Sequence, residues 1–344
     1  METRVLKPDA SAIELAAELL RDGKLVGIPT ETVYGLGANA LDSEAVASIF
    51  EAKGRPGDNP LIVHIADIAE LRPLIAADPS AGAKKLMEAF WPGPLTLIFP
   101  RAEKVPLRTT GGLNTVAVRM PSHPVAQEVI RRSGLPIAAP SGNRSGRPSP
   151  TTAGHMFEDM DGRIPLILDG GESDVGVEST VVDMTGDIPR VLRPGGVTPE
   201  QIAAICGDCI VDSAVMRPLK ENEQPRSPGM KYRHYAPAGQ LTIFRGNPEK
   251  VIEEIRATYD QAVAEGRKPL ILALEESIPH YGERRLESLG RDANEMAHAV
   301  FAALRDADHL HADVILSEGV ETEGIGLAVM NRLGRAAAFH IVEL

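Results

Sequence analysis

Between Asp212 and Gly239 the apolar periodicity of this chain fails, and that break limits its fold more than any other feature. The run S-A-V-M-R-P-L-K-E-N-E-Q-P-R-S-P-G-M-K-Y-R-H-Y-A-P is dense in proline and charge. Such a segment offers neither an apolar stripe for a helix nor an alternating face for a strand. The chain must therefore build two separate cores, as a length of 344 residues suits. The expected division is a domain over 1–212, a linker over 213–239 and a second domain over 240–344.

The second part is the more regular. L-T-I-F, a helix from Pro248, P-L-I-L-A-L, a helix from Ala293, D-V-I-L-S-E, a helix near Gly326 to Arg335 and F-H-I-V-E-L alternate as β-α-β-α-β-α-β. That pattern predicts a small Rossmann-like α/β domain with a parallel sheet. It holds no G-x-G-x-x-G and no P-loop. The first part mixes short strands and helices less evenly, which predicts an α/β domain with a mixed, twisted sheet and an open cleft. Helices are expected over Ser11 to Arg21, Glu44 to Ala52 (capped by Ser43), Ile68 to Ala77 and Ser80 to Phe90.

The loops of this first part carry the chemistry. Pro29 to Leu61 contains P-T-E-T-V-Y-G-L-G and K-G-R-P-G-D-N-P-L. Thr30, Thr32 and Tyr34 bring hydroxyls, Gly35 and Gly37 permit close approach of a ligand, and Lys53 and Arg55 supply clustered cations. Thr115 and Arg119 share a strand face by the two-residue period. The loop Ser141-Gly-Asn143-Arg-Ser145-Gly-Arg147-Pro-Ser149 is suited to an anion nest, and Glu178-Ser179-Thr180 precedes Arg190 and Arg193. Together they predict a site for a phosphate-bearing ligand at the strand ends.

Several classes are disfavoured. A net charge of −12 argues against binding nucleic acid through the whole surface, though a local basic cleft remains compatible with it. No apolar run reaches the ~20 residues of a membrane helix, and Met1 to Ala10 lacks a signal-peptide core; both point to the cytoplasm. Cys206 and Cys209 form a C-x-x-C that is at most half a zinc site, so no metal ligands are assigned. Gly35-Leu-Gly37-Ala-Asn-Ala40 fits the letters of a dinucleotide fingerprint but does not directly follow its strand. No P-loop, H-E-x-x-H or G-x-S-x-G occurs.

P-T-E-T-V-Y-G-L-G, K-G-R-P-x-x-N-P-L, P-S-G-N-x-S-G and E-S-T-V-V-D resemble the YrdC-like family of threonylcarbamoyl-AMP synthases. S-P-G-M-K-Y-R-H-Y-A-P followed by a small α/β domain, with G-L-A-V-M-N-R-L near its end, resembles the long two-domain form. The resemblance implies a nucleotidyltransferase that makes threonylcarbamoyl-AMP and pyrophosphate from L-threonine, bicarbonate and ATP. The product supplies the threonylcarbamoyl group for adenosine 37 of tRNAs reading ANN codons, and a separate transferase complex takes it up. Weak binding of tRNA itself stays open.

The same resemblance implies the site. Lys53 and Arg55 act on the triphosphate as the catalytic cations. Asn59, Thr115, Ser141, Asn143, Ser149, Arg193 and His234 join them in holding ATP. Arg119 takes the threonine carboxylate, with Thr32, His64, the Ala139 backbone and Ser179 completing that pocket. Mg²⁺ arrives on the ATP phosphates with water. The linker, through Tyr232, His234 and Tyr235, is expected to close as a lid.

Overall fold

The structure is a computed structural model and describes residues 2–55, 57, 59–217 and 234–344. As far as they are described, one compact unit holds residues 2–145 and 149–215, and the other holds 146–148, 216–217 and 234–344. Of the expected lid, 218–233 (Tyr232 included) lies outside the described residues.

In the first unit the strands are β1 (Arg4–Leu6), β2 (Val26–Ile28), β3 (Gly35–Asn39), β4 (Ile62–His64), β5 (Leu95–Pro100), β6 (Thr115–Arg119), β7 (Ile137–Ala138), β8 (Leu166–Leu168), β9 (Thr180–Asp183), β10 (Arg190–Arg193) and β11 (Ile210–Val211). Its helices are α1 (Ala10–Arg21), α2 (Ser43–Lys53), α3 (Ala81–Phe90), α4 (Pro124–Ser133), α5 (Ala153–Met160) and α6 (Pro199–Cys206). The strands form one sheet in the order β1-β8-β2-β3-β7-β4-β6-β5-β9-β10-β11. Pairs such as β4 with β6 and β5 with β9 are parallel, whereas β2 with β3 and β5 with β6 are antiparallel. The expected mixed sheet is therefore present.

The helices follow from local chemistry. The Asp9 carboxylate accepts from the Ala12 amide at 2.8 Å and starts α1, whose Ala12, Ile13, Ala16 and Leu20 recur at helical spacing. They share a core with Ala126, Val129 and Ile130 of α4. In α2 the cap is Asp42, not Ser43: the Asp42 carboxylate accepts from the amides of Glu44 and Ala45. The helix stops where Gly54 turns left-handed at φ 61°. The helix expected over Ile68 to Ala77 is instead two short 3₁₀ turns, Ile68–Glu70 and Arg72–Leu74. Pro73 has no N–H to carry an α-helix through that point.

The structure also corrects the glycine and tyrosine readings in the opening motif. Gly35–Asn39 is a buried strand, not a ligand loop. A Cβ at Gly37 would stand 2.6 Å from Ile28 Cδ1, so this glycine admits a neighbouring strand's side chain. The Tyr34 hydroxyl donates to the Gly171 carbonyl at 2.6 Å and accepts from the Gly170 amide, which removes it from any pocket.

The second unit adds β12 (Gln240–Arg245), α7 (Pro248–Ala264), β13 (Pro269–Ala273), β14 (Leu286–Ser288), α8 (Ala293–His309), β15 (Val314–Glu318), α9 (Gly326–Ala336) and β16 (Ile341–Glu343). Its sheet runs β14-β13-β15-β12-β16 with every pair parallel, as a β-α alternation requires. At the end of β15, Glu318 accepts from the hydroxyl of the fully buried Tyr281 at 2.5 Å. Among the described residues no helix is long and apolar enough to cross a membrane.

Candidate functional site

Register builds the centre of the site. Across β4, β6 and β5, His64 stands opposite Arg119 and Arg119 opposite Thr96. In-register neighbours project from the same face, so an imidazole, a guanidinium and a hydroxyl line up over three strands. Thr96 Oγ1 is 2.8 Å from Ser179 Oγ, just before β9. Arg193, at the end of β10, donates from Nη2 to Ser179 Oγ at 3.2 Å and from Nε to the Ser179 carbonyl at 3.1 Å. His64, Arg119, Thr96, Ser179 and Arg193 thus form a continuous, buried polar line.

Arg119 is held at several points. Its Nε donates to the Gly93 carbonyl at 3.2 Å, its Nη1 to Thr32 Oγ1 at 2.9 Å, and its Nη2 lies 2.6 Å from Glu31 Oε1. Thr32 is itself fixed, with Oγ1 2.9 Å from that of Thr30, which donates to the Val33 carbonyl. Burial and then the neighbouring Arg119 charge push the His64 pKa down to about 3, against the opposing pull of Glu31. The ring is neutral at physiological pH. Its Nδ1 stands 3.2 Å from the Ile62 carbonyl, so the tautomer protonated at Nδ1 is paired there and leaves a lone pair on Nε2.

Helix geometry places Lys53. Val46, Ile49 and Phe50 form the buried stripe of α2, and position 53 continues it. The Lys53 ammonium is consequently 3% exposed and donates to the carbonyls of Ser141 and Asn143 at 2.5 and 2.6 Å. The Lys53 carbonyl accepts from the Ser145 amide. Lys53 therefore ties the 141–145 loop to the end of α2. Burial first, then the neighbouring Arg55, lowers its pKa to about 7, while Asp159 and Glu178 oppose that shift.

Asn59 is fully buried, yet among the described residues neither its Oδ1 nor its Nδ2 has a hydrogen-bond partner. A buried amide without a partner costs free energy. Arg55 is half-buried two residues beyond Lys53. Ser141 bridges to Gly35, and the Ala139 amide donates to the Ile62 carbonyl. Asn143 donates from Nδ2 to the Arg144 carbonyl. The Ser149 hydroxyl donates to Glu178 Oε1 at 2.5 Å. Thr115 shares β6 with Arg119, but at about 3.3 Å per residue it stands about 13 Å away, beside the entry to β4. His234 belongs to the second unit, where its ring lies 5.6 Å from Tyr235, which packs on Phe301 at 5.0 Å.

Sequence reasoning missed Thr96 and did not assign Glu31. A hydroxyl inside the apolar run L-T-L-I-F is a weak signal, because threonine is an ordinary strand residue. Cys206 and Cys209 are free thiols, and burial pushes Cys209 up to about 11. Among the described residues no group of three or more His, Cys, Asp or Glu is placed to hold a metal ion.

The family model described as "Telomere recombination" matches residues 18–195, and the model described as "Threonylcarbamoyl-AMP synthase, C-terminal domain" matches 197–338. A threonylcarbamoyl-AMP synthase of Bacillus subtilis is 50% identical over 99% of this chain and 97% of its own length. One from Pyrococcus abyssi is 49% identical over 96% of each. The crystal structure of P. abyssi Sua5 complexed with L-threonine superposes with a TM-score of 0.93 at 47% identity, covering 100% of this chain and 99% of that one.

Proposed function

The chain belongs to the threonylcarbamoyl-AMP synthase family, and on that premise we propose how its own residues divide the work of a nucleotidyltransferase. The observation that carries the reading is the buried line of His64, Arg119, Thr96, Ser179 and Arg193, together with the Lys53-braced loop. An amino acid and a nucleotide phosphate need adjoining cationic subsites lined with hydroxyls, and the buried cations and hydroxyls support that reading.

Arg119 receives the carboxylate of L-threonine, the amino acid bound in the P. abyssi relative. Thr32 and Ser179 offer hydroxyls, the Ala139 backbone closes the pocket, and the lone pair of His64 Nε2 accepts from the substrate hydroxyl or ammonium. Selectivity over serine rests on one methyl group, about 1–3 kcal/mol.

The amine and bicarbonate condense to a carbamate with loss of water. A carbamate oxygen then bonds to the α-phosphorus of ATP as the bond to the β-phosphate oxygen breaks, and pyrophosphate leaves with that electron pair. No protein nucleophile takes part; positioning and charge stabilisation do the work. Arg55 and Arg193 face the phosphates. Asn59, Thr115, Ser141, Asn143 and Ser149 hold the nucleotide, and Lys53 fixes the loop that carries Ser141 and Asn143. Mg²⁺ carried on the triphosphate with water would supply charge neutralisation for the departing pyrophosphate. The product passes to a transferase that acylates tRNA.

The test is pyrophosphate release by the purified chain with ATP, Mg²⁺, bicarbonate and L-threonine. Release that requires both threonine and bicarbonate, and is lost in Arg119→Ala, supports the reading. Release independent of threonine sinks it.

A further inference from the structure

Arg119 is carried at the end of β6 on a long, flexible stem, and a carboxylate-binding guanidinium must be set at the right angle before the substrate arrives. Its Nε and Nη1 are anchored on neutral groups, the Gly93 carbonyl and the Thr32 hydroxyl. The charged anchor is Glu31, 2.6 Å from Nη2, with side-chain exposures of 4% for Arg119 and 6% for Glu31. The Glu31 carboxylate is held in turn by backbone amides at its own position and at Ser122. A guanidinium carries five N–H groups, so the contacts to Gly93, Thr32 and Glu31 leave N–H groups for a ligand while the charge is balanced.

We propose that Glu31 is the positioning residue of the amino-acid subsite, holding the Arg119 guanidinium turned so that its unused N–H groups face the substrate carboxylate. This rests on the reading above, in which Arg119 binds that carboxylate. Glu31 can serve because it is fixed independently of β6: its carbonyl accepts from the Val175 amide at 2.7 Å, on a different segment. The Arg119 charge holds the Glu31 carboxyl below its ordinary range despite burial, so it stays ionised where the enzyme works. A buried guanidinium stripped of this partner would swing toward other acceptors or draw in water.

A competing account makes Glu31 a simple neutraliser that competes with the substrate carboxylate. The two accounts differ in sign. In the full chain, Glu31→Gln should raise KM for L-threonine about tenfold or more, leave kcat within about threefold, and leave KM for ATP unchanged. Calorimetric titration should show L-threonine weakened, while the poor binding of L-threoninamide, which lacks the carboxylate, stays as it was. Glu31→Asp, which keeps the charge on a shorter arm, should recover part of the loss; if the Gln variant does not fold, the Asp variant carries the same threonine-against-threoninamide comparison. Unchanged or tighter L-threonine binding overturns the proposal, as does an equal loss of both ligands. If Arg119→Gln binds L-threonine like the parent, the reading of the subsite falls first, and this inference with it.

Discussion

His64→Gln offers the most quantitative check on the electrostatics of the site. The imidazole is 4% exposed, and burial together with the Arg119 charge lowers its pKa to about 3 from an ordinary 6.5. Below 6.5 the unfolded chain takes up a proton that the folded chain refuses. Folding stability therefore falls with falling pH, at about 1.4 kcal/mol per unit, until the folded pKa is reached. Between about pH 8 and about pH 5 the loss from this residue is about 2 kcal/mol. Glutamine keeps a polar side chain but does not titrate, so the variant lacks that contribution. Urea unfolding of both chains over this range isolates it as a difference of differences, since the other titrating groups largely cancel. The parent should lose about 2 kcal/mol more than His64→Gln on acidification. A pH-independent difference between the two chains would refute the reasoning, and so would an NMR titration placing the imidazolium near pH 6.

Other outcomes follow from the same structure. Lys53→Met removes both donors to the Ser141 and Asn143 carbonyls, and should raise the dissociation constant for ATP about tenfold, at about 1.4 kcal/mol per decade; an unchanged value by calorimetry would detach the loop from the nucleotide. Gly37→Ala places a methyl 2.6 Å from Ile28 Cδ1 and should cost about 1–3 kcal/mol of stability, read as a lowered melting temperature. Tyr281→Phe takes the hydroxyl donor from Glu318 and should cost about 1–3 kcal/mol. Burial already raises the Glu318 pKa, with the Tyr281 hydroxyl opposing it. The penalty should therefore be larger at high pH, where the carboxylate is ionised, and denaturant unfolding at two pH values checks that ordering.

The sequence by itself determined the two cores, because a proline- and charge-rich break cannot bury a face, and periodicity on either side names the helices. It also pointed to His64, Arg119, Ser179 and Arg193 of the buried polar line, though not to Thr96. It misplaced the cap of α2, extended a helix through Pro73, and read Gly37 and Tyr34 as ligand-facing when they serve packing. The Gly37 and Tyr34 errors share a cause: the letters are local, whereas the partner across a fold is not. Only tertiary structure decided that His64, Arg119 and Thr96 stand side by side, because strand register links positions far apart in the chain. Only tertiary structure turned Lys53 inward onto two carbonyls and set Glu31 against Arg119. A charge is visible in a sequence, but its partner, its burial and hence its protonation are properties of the space around it.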